Sequence, residues 1–276
     1  MNIIEINNLT YTYSDGTIAL RDISINIENN KRVAILGSNG CGKSTLLQHL
    51  NGLLLPQEGS VKIKGISVEK AQLYHIRKVV GLVFDNPDDQ LFATTVYDDI
   101  AFGPRNLGYE KDKVEEVVNK ALDLVNIREL KDKQPFNLSF GQKKKVAIAG
   151  VLAMEPNIIV FDEPFSGLDP RSLEQFLSIL DALHSMGSTI IITTHDVDIA
   201  YEWGDECIIL NNGKVLDQGK IDLLEDESLM KKAKLKVPNL YNMFSNTTMC
   251  PRSVVEGKKI ITKKFANEWQ IIYGGY

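Results

Sequence analysis

Residues Gly37-Ser38-Asn39-Gly40-Cys41-Gly42-Lys43-Ser44-Thr45 match the pattern G-x-x-x-x-G-K-[ST]. They stand between the apolar run RVAILG and the segment KSTLLQHLNGL. A buried strand, this loop and then a helix form the context in which the pattern has chemical meaning. Glycines let successive N–H groups turn inward, and the helix N-terminus adds positive potential. Lys43 reaches the β- and γ-phosphates of a bound nucleotide, and the Ser44 hydroxyl can hold Mg²⁺. Cys41 has two readings. Lys43 and the helix N-terminus can depress its thiol pKa, or it is a small residue at a position the pattern leaves free.

The rest of the chain supplies the sheet this loop needs. IIEINNLTYTY and ALRDISINIE alternate apolar and polar residues, with SDGT as a turn between them, and each reads as a half-buried strand. Further strands are expected around Ser60–Lys64 and Val79–Phe84. NIIVF and TIIITT are continuous apolar runs, separated by a helical segment over 171–186. Val114, Val117, Val118, Ala121, Leu122 and Val125 place one apolar face on a helix. Buried strands alternating with helices predict an α/β fold with a mostly parallel core sheet, and the early alternating strands predict an added antiparallel part. From about Lys231 the pattern weakens, so residues 231–276 read as a small C-terminal extension on a main domain over 1–230.

Carboxylates complete a phosphate chemistry. NIIVFDEP ends in Asp162 and Glu163, where a strand's C-terminal end faces the ligand crevice. Asp162 can hold Mg²⁺ through its water shell, and Glu163 can polarise an attacking water. TTHD puts His195 at the end of the next strand, within reach of a γ-phosphate. In NLSFGQKKK, Ser139 and Gly141 precede a helix starting near Gln142, a second N-terminus suited to phosphate. One nucleotide is already covered by Gly37–Thr45, so this second site is most useful facing another subunit's ATP. The run Lys143–Lys145 reads as a solvated helix start, and His49, His75 and His184 lack ligand spacing.

Composition removes other classes. A net charge of −5 gives no broad basic footprint for nucleic acid. Three scattered cysteines, Cys41, Cys207 and Cys250, lack the spacing of a zinc site or a disulfide framework and favour a reduced, cytoplasmic compartment. The start MNIIEINNLTYTY lacks a basic and apolar leader, and no apolar run approaches the roughly 18 residues of a membrane span. A membrane role therefore runs through partners.

In this order the motifs resemble the ATP-binding subunit of an ABC transporter over about residues 3–225. The resemblance implies a P-loop ABC ATPase domain with a helical subdomain at about 86–155. It implies Walker A at Gly37–Thr45, a signature loop at Leu138–Gln142 and Walker B at Ile158–Asp162. Glu163 becomes the catalytic base, Ser166–Pro170 the D-loop and His195 the switch histidine. Tyr13 stands where such proteins stack an aromatic ring on adenine; it also reads as an ordinary strand tyrosine. Phe140 departs from the pattern, occupying a position that is often glycine. Soluble ABC proteins of DNA repair or translation fit less well, since a long coiled-coil insertion and a second ATPase half are both missing from this sequence.

A narrower likeness is carried by NPDDQLFATTVYDDIAFGPRNLG, LSFGQKKKVAIAGVLAMEP and MKKAKLKVPNL. These resemble ATPases of energy-coupling-factor (ECF) importers, especially the CbiO-like ones of cobalt and nickel uptake; a vitamin importer is the alternative. The likeness implies two ATPase subunits, identical or paralogous, clamping two ATP molecules with Mg²⁺. It implies a membrane coupling subunit, a membrane substrate-binding subunit and a peripheral location on the cytoplasmic face. Residues 86–104 resemble the groove for the coupling subunit, with Leu91, Phe92 and Val96 either exposed for it or packed as core. Where that family usually has glutamine, this chain has Asp85, shorter and charged. Asp85 reads as a water-bridged Mg²⁺ partner or as a partly disabled sensor that leaves an ATP clamp with weak turnover.

Overall fold

The computed structural model describes residues 2–273, with side chains through Lys264. Strands β1 (Asn2–Thr12) and β2 (Ile18–Glu28) form an antiparallel pair, followed by β3 (Arg32–Leu36) and helix α1 (Lys43–Leu50). Next come β4 (Glu58–Ile63), β5 (Ile66–Ser67), α2 (Leu73–Val79) and β6 (Val80–Val83). A helical region holds α3 (Val96–Asn106), α4 (Lys111–Leu124) and α5 (Phe140–Leu152). The chain returns through β7 (Ile158–Phe161), α6 (Pro170–Ser185), β8 (Thr189–Thr194) and α7 (Val197–Trp203). It ends with β9 (Glu206–Asn211), β10 (Lys214–Lys220), α8 (Glu227–Lys232), α9 (Asn239–Phe244) and α10 (Val254–Tyr273). Residues 274–276 of the expected extension lie outside the described residues.

Two sheets result. The first is antiparallel, in the order β2-β1-β4-β5; the second has the order β10-β9-β3-β8-β7-β6. In the second sheet β3, β6, β7, β8 and β9 run parallel, and β10 alone is antiparallel, on the outer edge. The β9–β10 hairpin has a local cause. Asn212 and Gly213 both have positive φ, the backbone that a tight hairpin turn requires.

The central strands are buried on both faces, which accounts for their unbroken apolar runs. On β3, Ala34 and Leu36 point into one core with the helical region, while Val33 and Ile35 point into a second core against the antiparallel sheet and α1. Likewise Ile190 and Ile192 face the first core and Ile191 the second. The apolar face expected on α4 is buried in the first core. Asp169 caps α6 by accepting from Ser172 N, with Pro170 at its first turn. Among the described residues no helix is long and apolar enough to cross a membrane. Met230 and Ala233 are buried with the first core, so the chain beyond 230 packs against the main body.

The register brings the phosphate chemistry to one edge. Leu36 pairs with Thr194, Phe161 with Ile192, and Val83 with Phe161. The residues that follow these strand ends are Gly37, His195, Asp162 and Phe84, so four loops open on the same crevice. This depends on the packing of the central strands. Ile192→Ala is expected to cost about 2–5 kcal/mol, because Ile192 is fully buried. A urea titration should show the lowered midpoint with an unchanged slope.

Candidate functional site

The phosphate loop turns into α1 at Gly42, whose φ of 107° is open to glycine and strained for other residues. A Cβ there would also stand 2.6 Å from Ala19 O. The crevice beside it has a volume of about 490 Å³. Asn39, Gly40, Gly42, Lys43, Ser44 and Thr45 line it, together with Tyr13, the segment 17–19 at the start of β2, Asp85, Glu163, Ser166 and His195. Gly37 and Ser38 are not among the residues that line it. Cys41 is turned into the second core, where burial pushes its thiol up. Of its two readings, the reactive one with a depressed pKa is thereby overturned: desolvation outweighs the nearby Lys43.

Lys43 is buried, with its Nζ donating to Gly37 O at 2.9 Å and lying 3.2 Å from Glu163 Oε1. The second contact lacks hydrogen-bond alignment, so Glu163 Oε1 is held there by charge. His195 Nδ1 lies 3.1 Å from Glu163 Oε2, a hydrogen bond when Nδ1 carries the proton. Thr193 joins the two adjacent acids. Its Oγ1 donates to Asp162 Oδ1 at 2.6 Å and accepts from Glu163 N at 2.8 Å. Thr193 is not among the residues assigned above to phosphate or metal. Its signal was the side-chain alternation of TTHD, which gives the face of the sheet that Thr193 occupies; the pairing of Ile192 with Phe161 then sets it beside the acids.

Tyr13 OH and Thr45 Oγ1 share a hydrogen bond of 2.9 Å, which ties the exposed tyrosine to the phosphate-loop helix. Asp85 also lines the crevice. Burial by its surroundings pushes its carboxyl up, as do Asp162 and Glu163, while Lys144 opposes them. Ser44 and Asp85 offer hard oxygen donors in this crevice, and Asp162, adjacent to Glu163 in the chain, does not itself line it. Among the described residues no three His, Cys, Asp or Glu side chains form a metal cluster. This donor set fits Mg²⁺, which keeps waters and substrate phosphates as most of its ligands.

Ser139, Gly141 and Gln142 are not in this crevice. They line a separate cavity of about 250 Å³ with Gly167, Asp169 and Ser172. Ser139 N donates to Gln142 Oε1 at 3.0 Å, and Ser139 Oγ accepts from Gln142 N at 3.4 Å, a capping box at the start of α5. The lysine run behind it is not uniformly solvated. Lys143 pairs with Asp88 at 2.6 Å, but Lys144 is buried, a correction to the expected solvated face.

A third cavity, about 570 Å³, is an apolar groove between α2, α3 and α5. Phe92 and Phe102 meet edge to face there at 4.7 Å and are 65% and 48% exposed. Leu91 is half-buried, whereas Val96 is fully buried at the start of α3 and belongs to the core. Asp99 lines this groove, with Oδ2 accepting from Phe92 N and Ala93 N.

A phosphate loop and a strand-end acid pair at the crevice of a parallel sheet, with a second helix N-terminus aimed elsewhere, define an ATP-binding cassette. Known proteins narrow the class. The family model described as ABC transporter matches residues 20–166. The energy-coupling factor transporter ATP-binding protein EcfA of Carboxydothermus hydrogenoformans is 46% identical over 95% of this chain and 99% of its own. A relative in Methanosarcina mazei is 48% identical over 88% of this chain, which spans about half (54%) of that protein. The solved CbiO1 of Clostridium perfringens, part of the ABC transporter complex cbiONQ, superposes with a TM-score of 0.74 at 39% identity, covering 88% of this chain and 99% of that one. The cassette MJ0796, solved as a dimer in a post-hydrolysis state with ADP and Pi, gives 0.73 at 29% identity over 79% and 98%. The chain belongs to the ABC transporter family, among its energy-coupling-factor ATP-binding proteins, and it is an ATPase.

Proposed function

We propose that this chain energises an ECF-type membrane importer from the cytoplasmic face, with cobalt or nickel ions as the solute. The observation that carries the reading is the convergence of Lys43, Glu163 and His195, each in contact with the next, on one crevice. Phosphoryl transfer needs positioning and charge stabilisation more than covalent chemistry. Lys43 and the loop N–H groups bind the β- and γ-phosphates. Tyr13 borders the same crevice for the adenine ring. Glu163 takes the proton of the attacking water, and His195 holds that carboxylate and meets the γ-phosphate. Mg²⁺, held by Ser44, Asp162 and Asp85 with water and phosphate, would supply charge neutralisation when bound.

Ser139, Gly141 and Gln142 serve the ATP of a second ATPase subunit, a copy of this chain or a paralogue. Their separation from the crevice supports that assignment, because they do not contribute to the local site. The apolar groove with Phe92 and Phe102 receives the membrane coupling subunit, which works beside a substrate-binding membrane subunit. The CbiO likeness supports cobalt or nickel; a vitamin is the alternative. Uptake by the reconstituted complex, run with labelled cobalt, nickel and vitamins, separates them. ATP-dependent uptake of none of these solutes sinks the importer reading.

Asp85 favours a second reading, in which ATP clamps the subunits with weak turnover. The carboxyl shares the crevice with Ser44, as a water-bridged ligand must, yet it lies among acids. As an Mg²⁺ partner, Asp85→Gln should keep hydrolysis within about tenfold of wild type. Asp85→Ala should lose more, with transport falling further than hydrolysis. The measurements are ATPase rate and solute uptake for all three side chains. Alanine equal to wild type in both removes any sensing role, and glutamine raising turnover well beyond about tenfold makes Asp85 a brake.

A further inference from the structure

Lys43 and Lys144 are the buried lysines among the described residues, and the chemistry above uses only Lys43. Lys144 is 2% exposed, on α5 behind the Ser139 cap. Its Nζ donates to Glu163 O at 3.3 Å and to Ser166 O at 3.1 Å. The ring of Phe140, one turn earlier, lies 5.5 Å from that ammonium. Phe140 also closes on Gly167, where an added Cβ would stand 3.3 Å from its Cε1. The aromatic ring at a position that is often glycine therefore covers a cation, and the cation holds the loop after β7.

That loop carries a strained residue. Glu163 has φ 41°, in the left-handed region, where its Cβ is crowded and only glycine sits without strain. Such a conformation persists only when its surroundings fix it. Glu163 N is fixed by Thr193 Oγ1, and Glu163 O by Lys144. The two anchors differ in origin. Thr193 belongs to the sheet, whereas Lys144 belongs to the helix whose N-terminus is assigned to the partner's ATP.

We propose that Lys144 is a positioning residue: it clamps the carbonyls of Glu163 and Ser166, keeps the Glu163 carboxylate aimed into the crevice, and couples that aim to α5. The proposal rests on Glu163 being the base. Lys144→Met keeps the length and apolar stem and removes the ammonium. Steady-state ATPase assays of the purified full chain should show kcat lowered by about tenfold or more, with KM for ATP within about twofold. Lys144→Gln keeps an N–H donor and should recover at least about threefold over methionine. A methionine variant within about twofold of wild-type kcat overturns the proposal, as does a glutamine variant no better than methionine. If methionine prevents folding, glutamine decides alone: kcat must fall while KM holds, and any other pattern overturns the clamp. Glu163→Gln is assayed in parallel. Its retention of turnover would remove the base assignment itself; its loss of turnover beside an active Lys144→Met removes only the clamp.

Discussion

Glu163→Gln is expected to retain ATP binding and to lower turnover by about 10²–10⁴-fold, the range a general base supplies. The amide fills the same volume, so Lys43 and the phosphate loop keep their places. The proton acceptor is gone. Both backbone anchors, from Thr193 and Lys144, are made to main-chain atoms and survive the change. The variant should also lose the carboxylate's attraction for Lys43, 3.2 Å away, leaving that ammonium freer for phosphate. ATP that is bound and not hydrolysed should then hold two subunits together. Size-exclusion chromatography with Mg-ATP reads this as a stable dimer containing two nucleotides. A variant that hydrolyses ATP at the wild-type rate removes Glu163 as base. One that stays monomeric, with and without the membrane partners, counts against the clamp.

What the sequence made legible follows from how local each cause is. The pattern Gly37–Thr45 is nine contiguous residues running from the end of β3 into α1, so its place in the fold could be read directly. Asp162 and Glu163 are adjacent and end an apolar run, which fixes their edge of the sheet. The parallel order could be expected because both faces of β3, β7 and β8 are apolar. Long-range packing is harder to read. Lys144 looks like the middle of a basic run, and nothing in KKK says that one ammonium turns inward to two carbonyls from a loop some twenty residues on. Val96 looks like its neighbour Phe92, but its place at the first turn of α3 sends it to the core. Cys41 stands beside a lysine in sequence, and its side chain turns away from the crevice. In each case the deciding quantity is side-chain direction, set by tertiary contacts and not by spacing. Thr193 is intermediate, since strand alternation gives its face and only the register with β7 gives its partners.

Ser139→Arg tests the feature furthest from the local crevice. Ser139 is exposed at the start of α5, where its hydroxyl makes a long cap contact of 3.4 Å to Gln142 N. Losing such a cap costs about 0.5–2 kcal/mol, too little to unfold a domain with two extensive cores. Arginine adds a long cation where the hydroxyl is proposed to meet the opposite γ-phosphate. ATP affinity of the isolated subunit should stay near wild type, because the crevice is built without Ser139. Hydrolysis should fall by about 10²-fold or more, since Glu163 would be present while the partner's donors are displaced. Ser139→Ala separates the two effects: it removes the cap and adds no bulk, so it should bind ATP normally and keep more turnover than arginine. Nucleotide titration of the monomer and ATPase assays across concentration read both. If alanine is as inactive as arginine, the cap or the hydroxyl itself matters and the blocked-closure account fails. If monomer binding collapses in the arginine variant, Ser139 belongs to the local fold, and the second helix N-terminus has no role across the interface.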